Sequence, residues 1–232
     1  MRALRVLLIL AVVLGGIFVG VDRLAVGYVE SEAADRVRAA ASARPESAEV
    51  DIKGFPFLTQ IAGRRFDEVD LKLTGLKASA GGGQSVRIGE LTVALRDVTL
   101  DGAYSIDRVR TADGTALIRY EDLVDASGEK ATVRYGGENK LKVTGGVRVL
   151  GRTITRTVTS TVTLVGGDTI RVRADSVPGE GMPGLEELVR ARTDFDRRVE
   201  GLPKGMRVTK VEPRPEGLAV MVTGEDIALT GF

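Results

Sequence analysis

An unbroken apolar run from Val6 to Val21 (VLLILAVVLGGIFVGV) follows Arg2 and Arg5 and stops at Asp22 and Arg23. As a helix these residues reach roughly 24 Å at about 1.5 Å each, against a hydrocarbon layer of about 30 Å. Ala3 and Leu4, with Arg5 snorkelling to the headgroups, bring the segment close to spanning length. A buried core helix rarely sits at the extreme N-terminus behind two arginines. Residues 1–21 therefore read as a signal anchor or signal peptide. Phe18 to Asp22 lacks the small-x-small pattern of a cleavage site, which favours the uncleaved anchor. The arginine pair keeps the N-terminus cytoplasmic and sends residues 22–232 outward as a single domain. The expected location is the extracytoplasmic side of the cell membrane, in a periplasm-like space, anchored or secreted.

The next segment predicts a helix rather than a linker. Asp22 to Ala43 contains no proline, is rich in helix formers and places Leu24, Tyr28, Val37 and Ala41 roughly on one side, with Pro45 as the stop, a weak stripe that fits packing on a sheet and a solvated stalk equally. Beyond it the period changes to two. Ala48, Val50 and Ile52, then Val69, Leu71 and Leu73, then Val86 and Ile88, then Leu91, Val93 and Leu95 alternate with polar residues as half-buried strands do. Gly166-Gly167-Asp168, Gly136-Gly137 and Asp113-Gly114 read as hairpin turns, and Gly145-Gly146 as a bulge. Short turns between successive strands imply an antiparallel meander. It is interrupted by a helix from Pro183 through Leu185, Leu188, Val189, Arg192, Phe195 and Val199, and by a shorter one over Tyr120 to Ala126. Strands around Val208 to Val211 and Leu218 to Val222 close the chain.

The composition removes whole classes of chemistry. The 232 residues contain no His and no Cys, so a Ser-His-Asp triad, a Cys nucleophile, a His/Cys zinc site and a disulfide are all impossible. A net charge of +1 and ten Phe and Tyr rings in total argue against nucleic acid as a partner. Gly179 to Gly184 fits G-x-G-x-x-G, but Pro178 and Pro183 remove amide donors and the neighbouring strands are antiparallel, so a turn with an N-terminal proline explains it. Ser127 to Lys130 spells S-x-x-K without its partner motifs. Glu186-Glu187, Asp194 with Asp196, and Glu225-Asp226 are carboxylate pairs that solvated turns explain more economically than glycosidase chemistry. The reading is a non-enzyme with no catalytic residue, no metal site and no cofactor.

One segment is unusual. GFPFLTQIAG, Gly54 to Gly63, gathers two of the six Phe residues beside Leu58 and Ile61, directly before Arg64 and Arg65. Pro56 can open one helical turn that Gly63 closes, projecting Phe55, Phe57, Leu58 and Ile61 as an apolar knob with cations behind it. Rings and aliphatics suit acyl chains, and arginines suit a phosphate. The same residues also fit a core plug under a strand crossover.

The string GFPFLTQIAGRRFDEVDLKLTGL, Gly54 to Leu76, resembles the signature of the LmeA-like phospholipid-binding family of actinobacterial envelope proteins. Tyr120-Glu-Asp-Leu123 resembles that family's helix start, and Leu202 to Leu229 its closing strands. The resemblance implies an α+β fold of the tubular lipid-binding kind, a curved antiparallel sheet wrapped around a long helix with an apolar groove. It implies a phospholipid ligand, phosphatidylinositol types among them, and support of envelope lipid and lipoglycan assembly beside a glycosyltransferase partner. The expected lipid-binding residues are Phe55, Phe57, Leu58, Ile61, Arg64, Arg65, Val69, Leu71 and Leu73, with the membrane itself engaged by Val6 to Val21. The competing expectation is a structural or partner-binding envelope module with a filled core, because alternation alone does not distinguish a packed interior from a hollow one.

Overall fold

The computed structural model describes residues 2–39, 45–79, 85–127, 131–149, 152–176, 186–187, 190 and 194–228. Helix α1 runs without a break over Arg2–Ala39, about 57 Å at 1.5 Å per residue. The apolar run and the polar segment after it are thus one rod. It is followed by β1 (Ser47–Lys53), the short α2 (Phe57–Ala62), and three long strands, β2 (Arg65–Ser79), β3 (Ser85–Leu100) and β4 (Ile106–Ile118). Helix α3 (Tyr120–Ser127) leads into β5 (Ala131–Gly137), β6 (Lys140–Val149), β7 (Arg152–Val165) and β8 (Thr169–Ala174). After β9 (Phe195–Arg198), the hairpin β10 (Met206–Arg214) and β11 (Gly217–Ala228) ends the described chain.

The fold is α+β and every described strand pair is antiparallel, but the strands form two sheets rather than one meander. The larger runs β1-β2-β3-β4-β11-β10 and the smaller β5-β6-β7-β8-β9, and neither closes into a barrel. The last hairpin returns to pair with β4, Val222 opposite Gly114, so the chain's two ends share one sheet.

The alternating pattern gives the large sheet one apolar face, and two different covers close it. At one end, Val26 and Ala34 of α1 and Phe57 of α2 pack with Ile52, Val69, Leu95, Val98 and Val109. At the other, the small sheet stacks on it, Leu141, Val143, Val158, Val162 and Val172 meeting Val208, Val211, Leu218 and Val220. Only the polar half of α1 joins the first cluster. Its buried stripe is Asp22, Val26 and Ala34, whereas Leu24 is 77% and Tyr28 74% exposed, so the helix packs on the sheet through a side other than the Leu24 and Tyr28 stripe. The stripe follows the anchoring bonds: the Ile52 amide donates to Glu30 Oε1 at 2.7 Å and the Leu58 amide to Asp22 Oδ1 at 2.8 Å.

Three further expectations are corrected. Asp113-Gly114 is no turn but the middle of β4, where a Cβ on Gly114 would lie 2.9 Å from Val222. Gly145 and Gly146 pair with Arg156 and Thr155 in unbroken register, with no bulge. Phe195 does not extend a helix from Pro183. It begins β9 opposite Val172, and Asp196 pairs with Arg171 and Arg173, so sheet pairing overrides local propensity. Glu186, Glu187 and Arg190 are helical, whereas residues 194–200 are strand or irregular, the Val199 amide donating to the Asp168 carbonyl at 2.8 Å; Pro183, Leu185, Leu188, Val189 and Arg192, and the Gly179 to Gly184 match, lie outside the described residues. Tyr120 opens α3 as expected, and its hydroxyl donates to the Arg214 carbonyl at 2.5 Å. Burial pushes that phenol from its ordinary value of 10.0 up to about 12.

Candidate functional site

The Gly54 to Arg65 turn is built from side-chain clamps. Gly54 has φ 97°, and Gln60 fills the space beside it: its Nε2 donates to the Lys53 carbonyl at 3.1 Å and its Oε1 accepts the Asp67 amide at 2.9 Å. Pro56, after a cis bond from Phe55, occupies the N-cap of α2, and its carbonyl accepts the Thr59 hydroxyl at 2.8 Å. Asp22 reaches in from α1 to accept the Leu58 amide, one of the donors a short helix leaves without an internal partner. Gly63 ends the turn as expected, and Arg64 leaves it with φ 52°.

This framework sends the two phenylalanines in opposite directions. Phe57 is 2% exposed and stacks on Phe66, ring centroids 5.9 Å apart and 9° from parallel. It is a core plug. Phe55 is 54% exposed, with the Arg23 guanidinium 5.2 Å from its ring centroid. Leu58 and Ile61 are half-buried against the first cluster, and Val69 lies within that cluster. Arg65 is bound to Asp97, which also holds Arg110 at 3.3 Å, and the Arg65 bond keeps the Asp97 carboxyl below its ordinary range. Arg64 faces the Tyr104 ring at 5.6 Å instead.

Leu71 and Leu73 occupy a different place, midway along the apolar face. Leu71 pairs with Val93 and Leu73 with Leu91, and all four side chains are half-buried. Leu71 and Val93 flank the helix-covered cluster, whereas Ala116 and Val222, further across the same face, flank the sheet-covered one. Leu73 and Leu91 belong to neither. Such a strip presents contiguous aliphatic surface that no protein side chain fully covers, the chemical requirement for holding hydrocarbon.

The opposite face of the sheet carries a shallow concavity of about 600 Å³ lined by Asp51, Asp70, Lys72, Asp113, Thr115 and Thr223 among others. Its charges are cross-linked: Lys53 holds Asp51 and Asp70, Lys72 holds Glu90 at 3.2 Å, and Arg96 bridges Glu68 at 3.1 Å and Asp113 at 2.9 Å. This face is a solvated saddle whose rim of ion pairs surrounds only scattered aliphatic groups, Ala94 and Met221 among them. The carboxylate pair Asp194 and Asp196 likewise has structural work, Asp194 accepting the Ala174 amide at 2.8 Å and Asp196 holding Arg171.

The structure thus separates the nine expected residues into an exterior turn (Phe55, Arg64, Arg65), half-buried side chains (Leu58, Ile61, Leu71, Leu73) and core (Phe57, Val69). Sequence reasoning passed over Asp22, Arg23 and Tyr104. The first two read only as the stop of the apolar run, and Tyr104 carries no local signal because its neighbour Arg64 is distant in sequence. Compared with known proteins, residues 20–223 match the family model described as LmeA-like phospholipid-binding. No curated protein and no solved structure matches the chain.

Proposed function

The chain belongs to the LmeA-like phospholipid-binding family, and from that premise we propose that it is a membrane-tethered protein of the extracytoplasmic face that shelters phospholipid tails without making or breaking bonds. Residues 1–21 hold it in the bilayer, and residues 22–232 form one lipid-binding unit. Acyl chains lie along Leu71, Leu73, Leu91 and Val93, each sheltered methylene contributing about 0.8 kcal/mol. Phe55, Leu58 and Ile61 form the entrance, and Arg64 and Arg65 meet the phosphate, including that of phosphatidylinositol types. Phe57 and Val69 serve as the floor on which that entrance rests. The role is support of envelope lipid and lipoglycan assembly, handing lipid to a glycosyltransferase partner.

The half-buried strip between two closed clusters carries this reading. Lipid mass spectrometry on natively purified full-length protein tests it: phospholipid is expected at a fixed ratio, and Leu73→Asp or Leu91→Asp should remove most of it while leaving the melt nearly unchanged. Reproducibly lipid-free protein that also ignores anionic vesicles overturns the reading. The second reading, a structural or partner-binding module with a filled core, draws support from Phe57 and Val69, two expected lipid contacts that are packed solid.

A further inference from the structure

The end of the domain from which α1 departs carries two exposed rings, each with an arginine over it. Asp22 holds α2, Glu30 lies further along beside Ile52 of β1, and so α1 crosses the domain from the α2 end inward. Its apolar residues Leu8 to Val21, all exposed, therefore extend outward past α2. The β3–β4 loop lies at that same end, because the Leu100 amide donates to the Arg64 carbonyl at 2.9 Å. At the loop's tip Tyr104 is 54% exposed and sits at φ 60°, a conformation held by Asp101, whose Oδ1 accepts the Ala103 and Ser105 amides at 2.8 and 2.9 Å. Among the described residues neither Arg23 nor Arg64 has an ion-pair partner; each lies over a ring, Phe55 and Tyr104 respectively.

We propose that this end, through Phe55 with Arg23 and Tyr104 with Arg64, docks on the anionic headgroup layer of the same bilayer that α1 enters. The occupant is the bilayer because the surface is continuous with the exposed apolar rod. The amphipathic Tyr104 ring settles at the headgroup level, Phe55 adds apolar area there, and each cation near an anionic surface raises the docked population roughly five-fold. Asp67, Asp101 and Asp107 are exposed on the segments that build this end, so the rings contribute beside the charge. Docking fixes the tilt of the domain and presents the Phe55 turn to the lipid pool. The inference rests on the tether of the proposed function, and its test separates the two.

Because the chain has no cysteine, single labels are unambiguous. Full-length Val12→Cys, Ala62→Cys, Ala103→Cys and Glu138→Cys, each spin-labelled, are reconstituted in phosphatidylcholine vesicles with and without phosphatidylglycerol, and label depth is read from oxygen and nickel accessibility. The expected result is position 12 in hydrocarbon, 62 and 103 at the headgroups in the anionic vesicles, and 138, at the far end in the β5–β6 turn, in water. Adding R23Q and R64Q together should return 62 and 103 to water with an unchanged circular-dichroism melt. Position 12 in lipid with 62 and 103 aqueous overturns the docking and leaves the tether standing. Position 12 in water overturns both.

Discussion

The two covers on the large sheet meet the same apolar face with different materials. The helix-covered end uses the stacked Phe57–Phe66 pair, a buried carboxylate at Asp22 and two side-chain-to-amide bonds that pin the helix. The sheet-covered end is aliphatic, with Ser160 the one buried polar side chain among the described residues there. Directional bonds fix a helix whose other half leaves the domain. Interdigitated valines suffice where both partners are sheets. Between the two covers the strip at Leu73 and Leu91 is left half open.

The comparison breaks most readily at Phe57. Phe57→Ala should cost about 3–5 kcal/mol in denaturant titrations of the detergent-solubilised chain, whereas Phe55→Ala, two residues away, should stay within about 0.5 kcal/mol. Equal effects would erase the inside-outside distinction on which the turn depends. At the other end Leu141→Ala should cost about 2–4 kcal/mol and leave the recovered phospholipid per folded molecule unchanged. Asp22→Ala should cost about 1 kcal/mol by freeing the Leu58 amide, and Asp22→Asn, which keeps an acceptor, should cost less. The smallest effect is alkaline. Tyr120 has a folded-state value above its unfolded one, so its contribution is complete below about pH 10 and is lost as pH rises toward about 12. Thermal melts should show that loss, and Tyr120→Phe should remove it.

Much of the architecture was legible because strands write their faces in period two: Val50 and Ile52, and the turn at Gly166-Gly167, fall where alternation puts them. The site was legible only as a segment. Phe55 and Phe57 differ in fate because clamps from Asp22 and Gln60, far off or side-chain mediated, orient the turn. The side on which α1 packs was not legible for a related reason. Its stripe of Asp22, Val26 and Ala34 contains an acid and an alanine, and Leu24 and Tyr28 outweigh them in hydrophobicity. Asp113-Gly114 misled because its turn chemistry is subordinate to close packing against Val222. Phe195 misled because its partner, Val172, belongs to another hairpin.

Strand β1 has β2 on one side only, and on the other its Ile52 amide is taken by Glu30. An open sheet margin invites a foreign strand, and here the departing rod occupies that margin. Processing after Val21 would leave Glu30 in place and that margin guarded, whereas loss of Asp22–Ala39 would strip the guard and turn β1 into a template for self-association.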